Sequence, residues 1–222
     1  MRLSKRLNIC LKYTDGFYHL ADIGTDHAKV PIAAVNKGYV VKAQAIDNKH
    51  GPYVIAYSNV KKAGLLDRIT VKLSDGLADI EQDTDVVIIS GMGGITIRDI
   101  ILNGPRYNIK RFILQPNDNT EALRRSLQSI DYTIVDELVF ADKDKLYDLI
   151  VIEPGQAEYT DLEYQFGPIN LRQKPHFFEQ KINKELSYLT TVINHLDNPD
   201  EHPDLLQRHQ SLKEALAWKE PH

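Results

Sequence analysis

The sequence predicts an α/β fold: a mostly parallel, Rossmann-like sheet ending in an antiparallel hairpin, with a helical hairpin appended. Three observations lead there. His19–Ala28, HLADIGTDHA, runs from a short apolar segment through an acidic-then-glycine turn into a helical pattern. Later strand-like runs end in Asp47, in Asp75-Gly76 and in Gly91-Met92-Gly93-Gly94. Beyond Glu153-Pro154-Gly155 the apolar residues recur every four and three positions, a heptad spacing.

Each element has its own signal. Leu3, Leu7, Cys10 and Leu11 recur at helical spacing and predict an N-terminal helix beside the sheet. The first strand is expected over Tyr18–Ile23. The next helix carries Pro31 near its first turn, where a missing N–H costs little, and Gly38 closes it. The second strand, Lys42–Ile46, ends at Asp47. Gly51-Pro52 has the N-cap and first-position arrangement of a helix start, and Gly64 stops that helix. Ile69, Val71 and Leu73 alternate along the third strand. Val86–Ile89 is continuous and β-branched, as a strand buried on both faces requires. The helix after Gly94 ends at Gly104-Pro105. Arg111–Leu114 is the fifth strand and meets Gln115-Pro116-Asn117, after which Asp118 to Glu121 resembles a capping box opening a helix to about Ile130.

Tyr132–Phe140 and Leu146–Ile152 are expected to pair as an antiparallel hairpin across Ala141–Lys145. Five βα units followed by ββ imply a parallel sheet covered on both faces, with an antiparallel strand at its end. Ile182, Leu186, Leu189, Ile193 and Leu196 form the heptad seam. Asn198-Pro199-Asp200 and Pro203 interrupt it, and Leu205, Leu212 and Leu216 continue on a second helix. The expected units are residues 1–155 and 156–222.

The chain has 222 residues, 42% hydrophobic and 26% charged, which suits one α/β domain plus a modest extra element and excludes collagen-like or disordered classes. A net charge of -4 does not announce a nucleic-acid binder. Residues 1–75 nevertheless carry twelve Lys and Arg against six Asp, a basic bias compatible with an RNA partner or with an ordinary solvated surface. Cys10 is the only cysteine, so an intrachain disulfide and a multi-cysteine metal site are excluded, and no metal is expected. With no signal-peptide pattern and no long apolar run, a cytoplasmic protein without membrane contact is expected.

Ligands of open α/β sheets bind outside the carboxyl ends of the strands. Asp22, Gly24, Asp26, His27, Asp47, Asn48, Asp75, Gly76 and Gly91 through Gly94 are expected there. Asp47 is placed to accept from both hydroxyls of a ribose, and Asp75 to meet the exocyclic amine of an adenine. A dinucleotide fingerprint needs a second glycine where this chain has Asp26. A carboxylate there repels a pyrophosphate and attracts an ammonium or sulfonium, which favours S-adenosylmethionine over NAD or FAD. Plainer roles remain open: Asp26 as a helix cap, Asp22 as a turn-fixing side chain, Asp75-Gly76 as a tight turn, His27 as a core or surface imidazole. Three glycines in four positions exceed what a tight turn needs, so backbone there is expected to touch a ligand, with Met92 as an apolar floor.

With these motifs in hand, the chain resembles the bacterial tRNA (adenine-N1)-methyltransferases that act on position 22. The resemblance rests on LSKRL at Leu3–Leu7, ADIGTDHA at Ala21–Ala28, GPY at Gly51–Tyr53 and LSDGL at Leu73–Leu77. It continues through GMGG at Gly91–Gly94, ILQPN at Ile113–Asn117 and the DLIVIEP that ends at Pro154. It implies a class I methyltransferase fold, S-adenosylmethionine as donor and N1 of an adenine in the tRNA D-arm as acceptor. The matching donor positions are Asp22, Gly24, Asp26, Asp47, Asn48, Asp75, Gly76 and Gly91; Pro52, Met92 and Gly93 complete the expected donor set. One departure is Asp47, where such proteins often carry Glu; the shorter carboxylate still suits ribose hydroxyls.

Adenine N1 already has an in-plane lone pair, so alignment and dipoles suited to a cationic product are expected to do most of the work. Asn117 is the expected reader of the adenine edge or else a cap of the next helix, with Gln115 and Pro116 beside the base. His27 or Asp26 would accept a proton from the exocyclic amine. The base must be extruded from folded tRNA. Lys5, Arg6, Lys12, Lys61, Lys62, Arg124, Arg125 and the helical hairpin are the expected RNA contacts, on a monomer or weak homo-oligomer. Three alternatives stay open: a methyltransferase for another RNA or a small molecule, a nucleotide-dependent oxidoreductase disfavoured by Asp26, and a non-catalytic tRNA-binding module.

Overall fold

The structure, a computed structural model, describes residues 3–220; Met1, Arg2, Pro221 and His222, at the outer ends of the two expected units, lie outside it. Seven strands, β1 (His19–Ile23), β2 (Lys42–Asp47), β3 (Ile69–Leu73), β4 (Val86–Met92), β5 (Arg111–Pro116), β6 (Tyr132–Asp142) and β7 (Lys145–Pro154), form one sheet in the order β3-β2-β1-β4-β5-β7-β6. The first five pair in parallel, while β7 runs antiparallel to both β5 and β6. All five residues of β1 and the first four of β4 are buried, as apolar central strands covered on both faces must be.

Two apolar cores cover the two faces. One packs α1 (Lys5–Lys12), α2 (Lys29–Lys37) and α3 (His50–Lys62) on Leu20, Ala43, Val86 and Ile88. The other packs α4 (Gly94–Asn103) and α5 (Thr120–Ser126) on Ala21, Ile23, Val87 and Ile89. The strand order reverses between β1 and β4, so a crevice opens at their carboxyl ends.

Several boundaries differ from expectation. No helix follows β3 among the described residues, so there are four βα units rather than five. Buried polar groups hold the segment after β3 in turns: Gln44 Oε1 accepts from the Glu81 N–H at 3.1 Å, Gln44 Nε2 donates to Thr84 Oγ1 at 2.8 Å, and Asp85 accepts from the His19 N–H at 2.8 Å. Helix α3 begins at His50 after Lys49, which places Gly51-Pro52 inside its first turn. The capping box at Asp118–Glu121 does not form: Asn119, at φ 47°, precedes α5, and the Asp118 carboxylate accepts from the Gly94 N–H at 3.2 Å instead. Leu73 points outward at the sheet edge, 49% exposed.

A capping box does open α6 (Asp161–Phe166), where Thr160 and Glu163 bond each other's backbone. It and α7 (Pro168–Gln173) were not anticipated. The heptad seam lies on α8 (His176–Asn194), where Ile182 and Leu189 pack with Leu212 of α9 (Pro203–Ala217) and with Val139 of β6. A buried ion pair joins these helices to the sheet. Arg124, 2% exposed, donates through Nε to Glu137 Oε1 at 2.7 Å and through Nη1 to the carbonyls of Tyr164 at 3.1 Å and Gln165 at 3.2 Å. Glu137 Oε2 also accepts from the Ile169 N–H at 3.2 Å. Arg124 is therefore a structural strut and not the expected RNA contact. Strand β6 has a bulge between Ile134 and Asp136, and no described helix is long and apolar enough to cross a membrane.

Candidate active site

The turn after β1 sets the geometry. Gly24 (φ 70°) and Thr25 donate their N–H groups to the Ile46 carbonyl at 2.8 and 3.0 Å, which pulls the turn onto the end of β2. Asp26 and Ala28 both sit in the left-handed region, at φ 52° and 54°, a strained arrangement for residues with a Cβ. Asp26 does not cap α2; its N–H donates to Asp47 Oδ2 at 3.2 Å, and its carboxylate lies 3.2 Å from His27 Nε2. Asp47 Oδ1 accepts from the Lys49 N–H at 3.0 Å, so one buried carboxylate ties together the turns after β1 and β2. Asn48 Nδ2 donates to Asp75 Oδ1 at 3.0 Å, which joins the β2 and β3 ends.

A cavity of about 480 Å³ lies over these turns. Gly24, Asp47, Asn48, Asp75, Gly76 and Met92 line it, so six of the expected donor residues share one space. Met92 lies against Gly24, where a Cβ would collide with its methyl group. Asp22 sits just behind the lining, 4% exposed, with Thr25 Oγ1 donating to its Oδ2 at 2.6 Å. Pro52, Asp26, Gly91 and Gly93 lie outside this lining.

The glycine-rich turn has a different explanation from the one expected. Gly91 needs its φ of 80°, and a Cβ on Gly94 would lie 2.5 Å from the Asn119 carbonyl oxygen. The surplus glycine therefore admits the chain's own acceptor-side loop rather than a ligand. Asn117 closes that loop: its N–H donates to the Met92 carbonyl at 2.8 Å and its Nδ2 to the Gly91 carbonyl at 2.8 Å. Its side chain is exposed, leaving Oδ1 and one N–H available. Gln115 is fully buried and Pro116 is buried, so both hold the turn from beneath instead of facing a base.

A family model for TrmK, tRNA (adenine(22)-N(1))-methyltransferase, matches residues 20–220. The chain belongs to the tRNA (adenine(22)-N(1))-methyltransferase family. The Bacillus subtilis enzyme of that name is 32% identical over 223 residues, covering 96% of this chain and 92% of its own. The crystal structure of Streptococcus pneumoniae Sp1610 with S-adenosyl-L-methionine matches at TM-score 0.90 and 34% identity, covering 97% of this chain and 100% of that one. M. capricolum TrmK with S-adenosyl-homocysteine matches at TM-score 0.89 and 30% identity, covering 98% of this chain and 99% of that one.

The cavity wall of this tRNA (adenine(22)-N(1))-methyltransferase family member also includes residues that the sequence did not single out. Thr96, Asp99, Ile100 and Asn103 line the cavity from α4. Their spacing of three and four after the glycine turn, one face of a helix, was the available signal. Of the expected RNA contacts, Lys5, Lys12, Lys61 and Lys62 are exposed. Arg125 is exposed but paired with Glu121 and Asp161. Arg6 lies at the glycine turn, where a Cβ on Gly91 would be 3.4 Å from Nη1.

The donor set fits a cationic nucleoside. Asp22 is a buried carboxylate that makes no salt bridge among the described residues, and burial pushes its carboxyl up to about 7, with the Thr25 hydrogen bond holding it back and the Asp47 charge adding to the rise. What this site lacks is a positive group. An unfolded aspartate titrates at about 3.9, so between there and about 7 the folded chain holds a proton that the unfolded chain releases. The stability from that proton is complete at pH values below the unfolded titration and is lost as pH rises through about 7. Asp22→Asn, which has no such titration, is expected to gain melting temperature relative to the parent between about pH 5 and about pH 8. Thermal melts across that range check this; a difference independent of pH would mean that Asp22 is ionised throughout.

Proposed function

We propose that the chain transfers a methyl group from S-adenosylmethionine to N1 of adenine 22 in tRNA. The observation that carries this reading is the acidic, glycine-floored cavity at the β1/β4 reversal, opening beside the exposed Asn117 amide. When bound, S-adenosylmethionine supplies an electrophilic methyl group on a sulfonium. Asp47 holds the ribose hydroxyls, Asp75 and Asn48 meet the adenine, and Asp22 faces the methionine ammonium. Gly24 and Gly76 let backbone come close, and Met92 contributes an apolar wall.

On the acceptor side, Asn117 holds the adenine edge with its free Oδ1 and N–H. No base is needed to create the nucleophile, and the cluster of carboxylates suits a product that leaves cationic. The Asp26–His27 pair is the proton acceptor if the exocyclic amine later loses one. Residues 1–155 are the donor-binding unit and 156–222 the helical unit. The same reading makes the enzyme cytoplasmic, a monomer or weak homo-oligomer, and independent of metal.

Transfer of labelled methyl to tRNA followed by nucleoside analysis tests the reading. The expected product is 1-methyladenosine at position 22; label only in small metabolites would overturn it. Asn117→Ala is expected to cut turnover on the order of 10- to 100-fold while S-adenosylmethionine affinity holds. Equal loss of both, measured by single-turnover kinetics and calorimetry, removes Asn117 from the acceptor side.

A further inference from the structure

A second cavity, about 760 Å³, is lined by Asn117, whose N–H donates to the carbonyl of Met92 in the donor-cavity wall. Asn117, Arg6, Lys145 and Tyr147 of the β6–β7 hairpin and Lys184 and Tyr188 of α8 line it. Four separate parts of the chain, α1, the turn after β5, the β6–β7 hairpin and α8, therefore meet around one groove that includes the acceptor turn.

Its charge is unbalanced. Arg6, Lys145 and Lys184 make no salt bridge among the described residues. The other charges on the wall are committed: Lys181 binds Asp148 at 2.5 Å and Glu185 binds Arg208 at 2.7 Å. Asp144 is the one acid of the lining outside such a pair.

Its aromatic groups are arranged differently from one another. Tyr147 is fixed, its ring 5.9 Å from Phe140 on one side and 5.5 Å from the Arg6 guanidinium. The backbone N–H of Arg6 donates to Asp142 at 3.0 Å, which seats α1 on the hairpin. Tyr188 is 67% exposed on α8, more than any other large hydrophobic residue among those described. Folding covers only a minor part of it, so core packing does not account for an aromatic ring there.

We propose that this groove holds the RNA strand that flanks the extruded adenine, with Tyr188 stacking on a base and Arg6, Lys145 and Lys184 gripping phosphates. The proposal rests on the tRNA reading and adds where the strand runs. Cations without a salt-bridge partner together with an exposed aromatic ring are the chemistry of single-strand binding, and they need no base sequence. An extruded base drags its neighbours out of the stack, so a groove leading from Asn117 receives nucleotides already unstacked. The helical unit then grips substrate through the α8 face that lies over the acceptor turn.

The test is tRNA affinity by fluorescence anisotropy at two or more salt concentrations, on the full chain, alongside methyl transfer. Tyr188→Ala is expected to weaken tRNA binding about tenfold and Tyr188→Phe to restore it, because the ring face is kept. Lys184→Ala and Lys145→Ala are each expected to lower the salt slope by about one phosphate contact. S-adenosylmethionine affinity is expected to be unchanged in all of them. Parent-like tRNA affinity in these variants, or a loss that follows Lys61→Ala and Lys62→Ala instead, overturns the groove. A parent chain that binds tRNA through the groove without forming 1-methyladenosine overturns the methyl-transfer reading and leaves the groove standing.

Discussion

Arg124→Ala is expected to cost about 3–5 kcal/mol of folding stability, because it strands the Glu137 carboxylate in the interior without its counter-ion. The two carbonyls that Arg124 satisfies, those of Tyr164 and Gln165, lose their donor in the same step. For a chain of this size each kcal/mol moves the melting temperature by roughly 2–4 °C, so calorimetry should register a fall on the order of 10 °C. Replacing both partners, Arg124→Leu with Glu137→Leu, is expected to recover much of the loss, since no unpaired charge then remains. A double variant as unstable as the sum of its singles would show that the geometry, rather than the charge balance, carries the strut.

Asp47→Ala is the second large effect. Its carboxylate accepts from the Asp26 and Lys49 N–H groups, and on the functional reading also from a ribose. Hydrogen bonds to a charged group are worth about 1.5–3 kcal/mol, so losing even one from the ligand should reduce S-adenosylmethionine affinity about 10- to 100-fold. Asp47→Glu keeps the charge at the same strand end and is expected to retain most binding. Titration calorimetry separates the two variants. An alanine variant that binds like the parent would remove Asp47 from the ribose site.

Much of this architecture was legible because alternation and β-branched runs report burial directly. Val86–Ile89 reads as a doubly covered strand, and all four residues are buried. The donor turns were legible too, since Gly24, Asp47 and Asp75 stand at strand ends and strand ends share one edge in a parallel sheet. What escaped depends on long-range partners. The segment after β3 offers Asp75-Gly76 as a turn signal but nothing that reports its length, because Gln44 and His19 hold its far end from elsewhere in the chain. Asp118 looked like a cap, but Gly94, 24 positions away, takes its carboxylate. Arg124 looked like a surface charge beside Arg125, and only the tertiary meeting with Glu137 distinguishes them. The residues of α4 that line the cavity escaped for a different reason: helical spacing alone does not say which of a helix's faces meets a ligand and which meets the core.

The bulge in β6 has a consequence for life in a crowded cell. An outermost strand of 11 residues would be a ready template for another chain to extend as a ladder. The break between Ile134 and Asp136, with α7 and α8 packed along the same strand, interrupts that row of unpaired amides. At the opposite margin β3 is only five residues long and carries Lys72. Both rims of the sheet are thus blunted against amyloid-like growth, so any neighbour must be met through side chains rather than by strand addition.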